Sequence, residues 1–222
     1  MLNYHFPKHF VLVTGVSETG KTTHWMKLLT SGGWKWLFVF DPDREVAIKC
    51  GFKVATNLRE IVHQAATTRI VCFDSSSMFP GCPEEGFAFF TRWVMTIARK
   101  VKGPIHFGCD EIWKVTETGR GGIPPAFKEM MNEGRRFEIR GFFIAQAVNE
   151  VHDKIRTQLT YLYTFRHNEP NCLDWLQARG FDPDEILALP PKGVYLCRNI
   201  GLGTITKGGK FLGTQPATKA DR

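Results

Sequence analysis

One glycine-rich stretch constrains the fold of this chain more than any other feature: GVSETGKT, from Gly15 to Thr22. An apolar run, Phe10 to Thr14, precedes it, and Thr23 to Leu29 follows with a pattern that begins a helix. Glycines at both ends let the backbone amides converge on phosphate oxygens, and the helix directs its positive N-terminus to the same point. The order strand, glycine-rich turn and helix therefore predicts a P-loop that binds a nucleoside triphosphate.

Within this loop each residue type has an expected task. Lys21 would reach the β- and γ-phosphates, and the hydroxyl group of Thr22 would hold magnesium. The expected cofactors are therefore ATP and Mg²⁺. The residues expected to contact the nucleotide are Gly15, Val16, Ser17, Glu18, Thr19, Gly20, Lys21, Thr22 and Thr23.

The composition is typical of one globular domain inside a cell. Of 222 residues, 43% are hydrophobic and 23% charged, which suits a single core. No apolar run is long enough to cross a bilayer, and the N-terminus lacks the apolar region of a signal peptide. Six cysteines without CxxC spacing indicate free thiols in a reducing compartment. The net charge of +7 is compatible with a polyanionic partner.

Apolar runs and helical patterns alternate along the chain. Buried strands are predicted at Trp36 to Phe40, Arg69 to Asp74, Pro104 to Cys109, Arg140 to Gln146 and Tyr161 to Arg166. Helices are expected between the strands, including one capped by Asn57 and one over 148–159. Such alternation predicts an α/β fold with a mainly parallel sheet flanked by helices. Residues 1–207 are expected to form one domain and 208–222 a basic, polar tail.

Two adjacent acids follow the third of these strands. Asp110 and Glu111 would lie at the carboxyl end of the strand, where open α/β sheets bind their ligands. Asp110 is expected to hold the magnesium shell, and Glu111 to orient and deprotonate the water that attacks the γ-phosphate. Two acids at an ordinary strand exit are the alternative. A glutamate placed to activate water argues against a small-molecule or nucleotide kinase, which also fits a P-loop in a chain of this length.

Polar and basic residues flank the next strand. Gln146 ends it, where the side chain could contact the γ-phosphate or the attacking water, although a solvated turn residue fits equally well. Arg135 and Arg136 precede it at the end of a predicted helix. They either complement the helix dipole or supply an arginine finger to a neighbouring subunit.

Three segments together resemble the HerA/FtsK superfamily of ring-forming DNA translocases. They are the P-loop, the strand ending in Cys109-Asp110-Glu111, and the block from Glu133 to Gln146. In that family an arginine eleven residues before the strand-end glutamine acts as the finger, and this spacing selects Arg135. The small size is most similar to the genome-packaging ATPases of tailless, membrane-containing viruses such as the tectiviruses. Ala145 departs from the family, which often has threonine there.

The resemblance implies a RecA-like P-loop NTPase core, with the strand of Gln146 between the P-loop strand and the acidic strand. It also implies an ATPase whose sites lie between the subunits of a hexameric homo-oligomer. Its activity would be the packaging of viral double-stranded DNA into a preformed capsid, at a vertex of the virion and in the host cytoplasm. Capsid-vertex or viral membrane proteins would be further partners.

The segment after Glu111, Trp113 to Gly122, is a candidate DNA-contacting loop. Lys114 and Arg120 lie there among glycines, and cations could grip backbone phosphates without reading sequence. A flexible surface loop would have the same composition. A noncatalytic virion assembly or secretion factor is a further alternative, although that type normally carries a transmembrane helix.

Overall fold

The fold is built on one nine-stranded sheet in a computed structural model that describes residues 9–116 and 122–210. In chain order the strands are β1 (Phe10–Thr14), β2 (Trp36–Phe40), β3 (Val54–Ala55), β4 (Ile70–Phe73), β5 (Ile105–Cys109), β6 (Ile139–Ala145), β7 (Tyr161–Thr164), β8 (Val194–Asn199) and β9 (Thr204–Gly209). Their spatial order is β3-β4-β2-β5-β6-β1-β7-β8-β9. All pairs from β3 to β7 are parallel, and β8 and β9 are added antiparallel. The predicted mainly parallel α/β sheet is thus confirmed.

Helices connect most of the parallel strands. They are α1 (Lys21–Thr30), α2 (Glu45–Cys50), α3 (Leu58–Thr67), α4 (Pro83–Ala98), α5 (Pro125–Glu133), α6 (Asp153–Arg156), α7 (Pro170–Gln177) and α8 (Pro183–Leu187). The predicted cap of α3 is confirmed, because Asn57 Oδ1 accepts a hydrogen bond from the backbone N of Glu60 at 3.0 Å. Proline lies in the first turn of four helices, where its missing N–H has no partner to lose.

Both faces of the parallel strands are covered, which explains why they read as continuous apolar runs. On β1, Phe10 and Leu12 face the core that α4 and α5 cover, whereas Val11 and Val13 face the core that contains Trp25 of α1. Gly108 on β5 lets α1 approach closely, since a Cβ atom there would lie 2.7 Å from a methyl carbon of Leu29. The sheet therefore holds α1, and with it the P-loop, in a fixed position.

Several parts of the chain differ from the sequence prediction. The helix expected over 148–159 is wrong: the segment forms a 3-10 turn, Val148–Glu150, and then the short α6. Val151 is extended between them, and His152 Nδ1 accepts from Lys154 N at 3.1 Å, so a new helix begins there. The elements α2, β3 and β9 were not predicted. β9 continues to Gly209, so the expected domain limit at 207 falls inside this strand.

Within 9–116 and 122–210, no helix has both the length and the apolar character that a bilayer crossing requires.

Candidate nucleotide-binding site

The loop between β1 and α1 is curled by residues with left-handed backbone angles. Gly15 has φ +152°, and a Cβ atom there would lie 2.6 Å from Cβ of Phe165, so only glycine fits. Glu18 and Gly20 also have positive φ, at 63° and 92°. Inside the loop, Thr19 Oγ1 donates to the carbonyl oxygen of Val16 at 2.9 Å. This conformation turns the loop onto the N-terminus of α1, as phosphate binding requires.

Two distant backbone segments hold the loop in place. The N–H of Val16 donates to the carbonyl oxygen of Arg166 at 3.1 Å, directly after β7. The N–H of Gly193 donates to the carbonyl oxygen of Thr19 at 2.9 Å, directly before β8. The P-loop is thus anchored by the C-terminal part of the chain.

Lys21, the first residue of α1, is 5% exposed and faces the two acids. Burial lowers the pKa of its ammonium group, and the charges of Glu111 and Asp110 oppose this change. Asp110 is 7% exposed. Burial, followed by the charges of the Glu111 and Glu45 carboxylates, raises the pKa of its carboxyl group to about 7. The fold therefore brings the lysine and the acids together, and a cation beside Asp110 would favour its ionised form.

Glu111 is held at the exit of β5 by two donors. Its Oε2 accepts hydrogen bonds from Trp113 Nε1 and, at 3.4 Å, from the backbone N of Gln146. The backbone of Glu111 is left-handed, with φ +44° and ψ +56°. A left-handed non-glycine residue costs free energy and is common at functional sites. The carboxylate is therefore fixed between the ends of β5 and β6.

The strand of Gln146 lies between the strand of the P-loop and the strand of the acids, as the resemblance implied. β6 pairs with β1 through Thr14 and Ala145, and with β5 through Cys109 and Phe143. Gln146 itself is exposed directly after β6. Its backbone N–H reaches Glu111, and a contact of its side chain with the γ-phosphate stays a prediction.

Thr22 and Asp110 supply the oxygen donors that Mg²⁺ prefers. Thr22 is half-buried in the first turn of α1, next to Lys21. Among residues 9–116 and 122–210, no group of three or more histidine, cysteine or acidic side chains could hold a metal ion. The residues present therefore fit a magnesium ion that arrives with the nucleotide.

Arg135 lies far from the site of its own chain. It is exposed in the 3-10 turn Gly134–Phe137, before the amino end of β6, whereas Gln146 follows the carboxyl end. At about 3.3 Å per residue, the seven residues of β6 separate the two by roughly 20 Å. Arg136 is directed to neighbours of its own segment, because its Nη1 lies 3.9 Å from Glu133 and its guanidinium group 5.7 Å from the ring of Phe137. The side chain of Arg135 therefore does not reach the P-loop of its own chain.

Sequence reasoning missed a polar contact beneath the P-loop. His167 is 1% exposed, and its Nε2 lies 3.1 Å from Thr14 Oγ1, which lies 3.4 Å from the carbonyl oxygen of Gln146. Burial, followed by the charge of Lys21, lowers the pKa of His167 to about 4, so the ring is neutral. The contact joins the exits of β1, β6 and β7. Thr14 ends one predicted strand and His167 directly follows another, and those positions were the signal for them.

Asp41 was missed in the same way. It follows β2, and its carboxylate accepts from the backbone N of Ala47 at 2.8 Å and of Val46 at 3.2 Å. This residue caps α2 and adds negative charge near Asp110.

The candidate DNA loop is described only in part. Lys114 is exposed in the 3-10 turn Ile112–Val115, with its Nζ 5.9 Å from the centre of the Trp113 ring. Arg120 lies outside the described residues.

A curled glycine loop at a helix N-terminus, a buried lysine and two acids at the exit of a nearby parallel strand define the class: a P-loop NTPase with a RecA-like order of strands.

Solved structures narrow this class. The chain is similar to the genome packaging NTPase B204 from Sulfolobus turreted icosahedral virus 2 in complex with AMPPCP, with a TM-score of 0.71 and 18% identity over 90% of this chain and 96% of that one. It is also similar to B204, the DNA-packaging ATPase from Sulfolobus turreted icosahedral virus, with a TM-score of 0.70 and 18% identity over 94% and 100%. The cytoplasmic domain of the type VII secretion ATPase EccC from Thermomonospora curvata matches with a TM-score of 0.57 and 12% identity, over 90% of this chain and 25% of that one.

No protein-family model and no curated protein sequence matches the chain. At identities below one fifth, the structural similarities concern the fold. They confirm the predicted P-loop NTPase core, and they show that a chain of this size shares its fold with viral packaging NTPases over nearly the whole length of both.

Proposed function

We propose that this protein is an ATPase that drives viral double-stranded DNA into a preformed capsid. One observation carries the proposal: Lys21, Asp110 and Glu111 converge on the P-loop of a fold that matches B204, a genome packaging NTPase, over 90% of this chain and 96% of that one. The glutamate beside the loop favours hydrolysis over transfer to a small acceptor, because it can activate water.

The residues of the chain divide the work of hydrolysis. The P-loop amides and Lys21 neutralise charge on the β- and γ-phosphates. Glu111, whose carboxylate is held by Trp113 and the backbone of Gln146, orients and deprotonates the attacking water. Thr22 and Asp110 would hold Mg²⁺, which would supply positive charge to the phosphate oxygens. The side chain of Gln146 senses the γ-phosphate.

The working form is a ring of identical subunits, which we propose to be a hexamer. Arg135 is exposed at the edge of the sheet opposite its own P-loop, roughly 20 Å away by the length of β6. An arginine finger at this position serves the neighbouring subunit. Each site is then complete only where two subunits meet.

The DNA contacts in this proposal rest on charge. Lys114 is exposed three residues beyond Glu111, so a change at the phosphates could move it, and Arg120 follows in the same segment. Together with the net charge of +7, they suit nonspecific contact with DNA phosphates. The protein would act at a packaging vertex of the virion and in the host cytoplasm, beside capsid-vertex or viral membrane proteins.

The deciding experiment is the ATPase rate of the purified oligomer with and without duplex DNA. We expect DNA to stimulate hydrolysis, and rising salt to remove the stimulation because phosphate contacts release counterions. Lys21→Ala serves as the control for contaminating ATPases. If the rate of ATP turnover does not change with DNA and phosphate is transferred to a small acceptor, the protein is a kinase instead.

A further inference from the structure

A cleft of about 410 Å³ opens beside the P-loop, on the side of β1 away from Asp110 and Glu111. One wall comes from α1, with Thr23 and His24, and the other from the C-terminal part of the chain, with Phe165, Tyr195 and Gly209. Its volume falls in the range of small-molecule sites, roughly 300 to 1,000 Å³. Of the residues that line this cleft, Gly20 and Thr23 belong to the expected phosphate site and the others do not.

The cleft begins where the P-loop ends. Gly20 and Gly193 both line it, and the N–H of Gly193 bonds the carbonyl oxygen of Thr19. A triphosphate with its γ-phosphate near Glu111 would run along the loop toward Thr23. Its nucleoside would then leave the loop at the mouth of the cleft.

The cleft wall is aromatic and uncharged. The ring centres of His24 and Tyr195 are 4.2 Å apart, and those of Phe165 and Tyr195 are 5.6 Å apart. Tyr163 packs behind, 4.9 Å from His24. Burial, followed by the charge of Lys27, lowers the pKa of His24 to about 4, so the ring is neutral at physiological pH. A flat wall of this kind suits the π-face of a nucleobase.

Cations lie at the rim rather than in the wall. Lys27 and Lys210 both line the cleft and are exposed. Their ammonium groups can stay solvated while they face the α-phosphate and the ribose oxygens. An aromatic wall with a cationic rim matches a ligand that is flat at one end and anionic at the other.

We infer that this cleft binds the nucleoside of ATP, with the base packed against Tyr195 and Phe165 and with His24 supporting Tyr195. The inference rests on the proposed ATPase function and deepens it. It makes the β8–β9 hairpin, which has no recognisable nucleotide motif, one half of the ATP site.

The test compares two ligands that differ only in the nucleoside: ATP and inorganic tripolyphosphate. In Tyr195→Leu, which removes the ring and keeps apolar bulk, we expect ATP to bind about tenfold more weakly, as the loss of one stacked base implies. Binding of tripolyphosphate should stay at the wild-type level. Tyr161→Leu makes the same change on β7, on the same face but outside the cleft, and should leave both affinities unchanged. Lys21→Ala should weaken both ligands together.

The outcomes separate this inference from the proposed function. If wild-type protein binds ATP but Tyr195→Leu weakens the binding of neither ligand, the cleft is not the nucleoside site, and the ATPase proposal stands. If wild-type protein binds neither ligand, both proposals fail. Because a folding defect in Tyr195→Leu would weaken both ligands, wild-type protein is also photolabelled with 8-azido-ATP, which carries its azide on the base. Label on the peptides of 23–27 or 193–210 supports the inference, and label confined to other peptides overturns it.

Discussion

The two sides of the P-loop differ in charge and polarity. On the side of β5 and β6, three ionisable residues meet: Lys21 and Asp110, which are buried, and Glu111, which is half-buried. On the side of β7 to β9, the walls are neutral aromatic rings, and β8 and β9 run antiparallel. The first side suits the chemistry of the γ-phosphate, and the second suits the holding of a base. We therefore expect changes on the first side to reduce turnover and changes on the second to reduce affinity.

We expect the largest loss of ATPase activity from a change at Arg135, which lies away from both sides of the P-loop in its own chain. Arg135→Ala should lower the ATPase rate by roughly 10³-fold or more, as expected for a lost arginine finger. Mixed with Lys21→Ala, it should recover activity, because its intact P-loops then meet neighbours with an intact Arg135. Steady-state hydrolysis of mixed oligomers measures this. Arg136→Ala, the adjacent arginine, is the matched control and should stay near wild type. Failure of the mixture to recover would rule out a finger in trans.

The charged side should control turnover without controlling binding. Glu111→Gln removes the proposed base but keeps a side chain that Trp113 can reach, so kcat should fall by about 10²- to 10³-fold. The affinity for ATP should stay within a factor of about two. Isothermal titration and single-turnover hydrolysis separate the two quantities. Glu150→Gln, an exposed glutamate just beyond Gln146, should leave both unchanged. Full turnover in Glu111→Gln would remove this residue as the base.

The aromatic side should show the reverse pattern. A Cβ atom on Gly209 would lie 1.9 Å from the carbonyl oxygen of Gly193, so Gly209→Ala must push the two strand ends apart at the cleft. We expect KM for ATP to rise about tenfold, since overpacking costs on the order of 1 to 3 kcal/mol. At saturating ATP, kcat should change less. Gly203→Ala introduces the same left-handed strain at φ +68° with nothing nearby, and should leave KM unchanged. Equal KM values for the two variants would contradict the role of the hairpin.

Acidic pH should modestly lower the stability of the folded protein, through buried histidines on both sides of the P-loop. His106 is 1% exposed, and its Nδ1–H donates to the carbonyl oxygen of Leu29 at 2.7 Å, which leaves Nε2 unprotonated and buried. Burial lowers its pKa to about 4, against 6.5 when unfolded, so the unfolded chain binds more protons between these values. This stability is present above pH 6.5 and is lost as the pH falls toward 4. His24, on the aromatic side, has the same direction of shift.

Thermal or urea unfolding between pH 7.5 and 5 measures this loss. His106→Asn keeps a donor for Leu29 but removes the titrating ring, so the free energy of unfolding should fall by about 1 to 2 kcal/mol less between pH 6.5 and 5 than in wild type. An unchanged slope would show that His106 is already charged in the folded protein or does not contribute.

The same contrast explains how much the sequence could predict. Helices cover both faces of strands β2, β4, β5 and β6. Because these strands are continuous apolar runs, the sequence was sufficient to predict them. β9, with the sequence TITKGG, is mostly exposed and shows no such run. The prediction of one helix over 148–159 was wrong because a periodic pattern does not show where the backbone becomes extended. The backbone is extended at Val151.

In the candidate site, the residues that could be predicted from the sequence are those that lie next to one another along the chain. The P-loop is one motif, and Asp110 and Glu111 follow one buried strand, so residue types and spacing sufficed. The aromatic cleft joins α1 to Phe165 and Tyr195, which are brought together only by the pairing of β1 with β7 and of β7 with β8. Thr14 and His167 meet for the same reason. No local pattern encodes such pairings, which depend on the topology of the whole sheet.

The two backbone anchors of the P-loop have a consequence for synthesis. Val16 is anchored by Arg166 and Thr19 by Gly193, so the ribosome makes the loop before the segments that hold it, and the loop gains its fixed shape only after them. A nascent chain that ends before β8 would carry the whole phosphate motif without its support. Nucleotide binding should therefore begin only after β8 has been made, and ATP could then stabilise the newly folded domain.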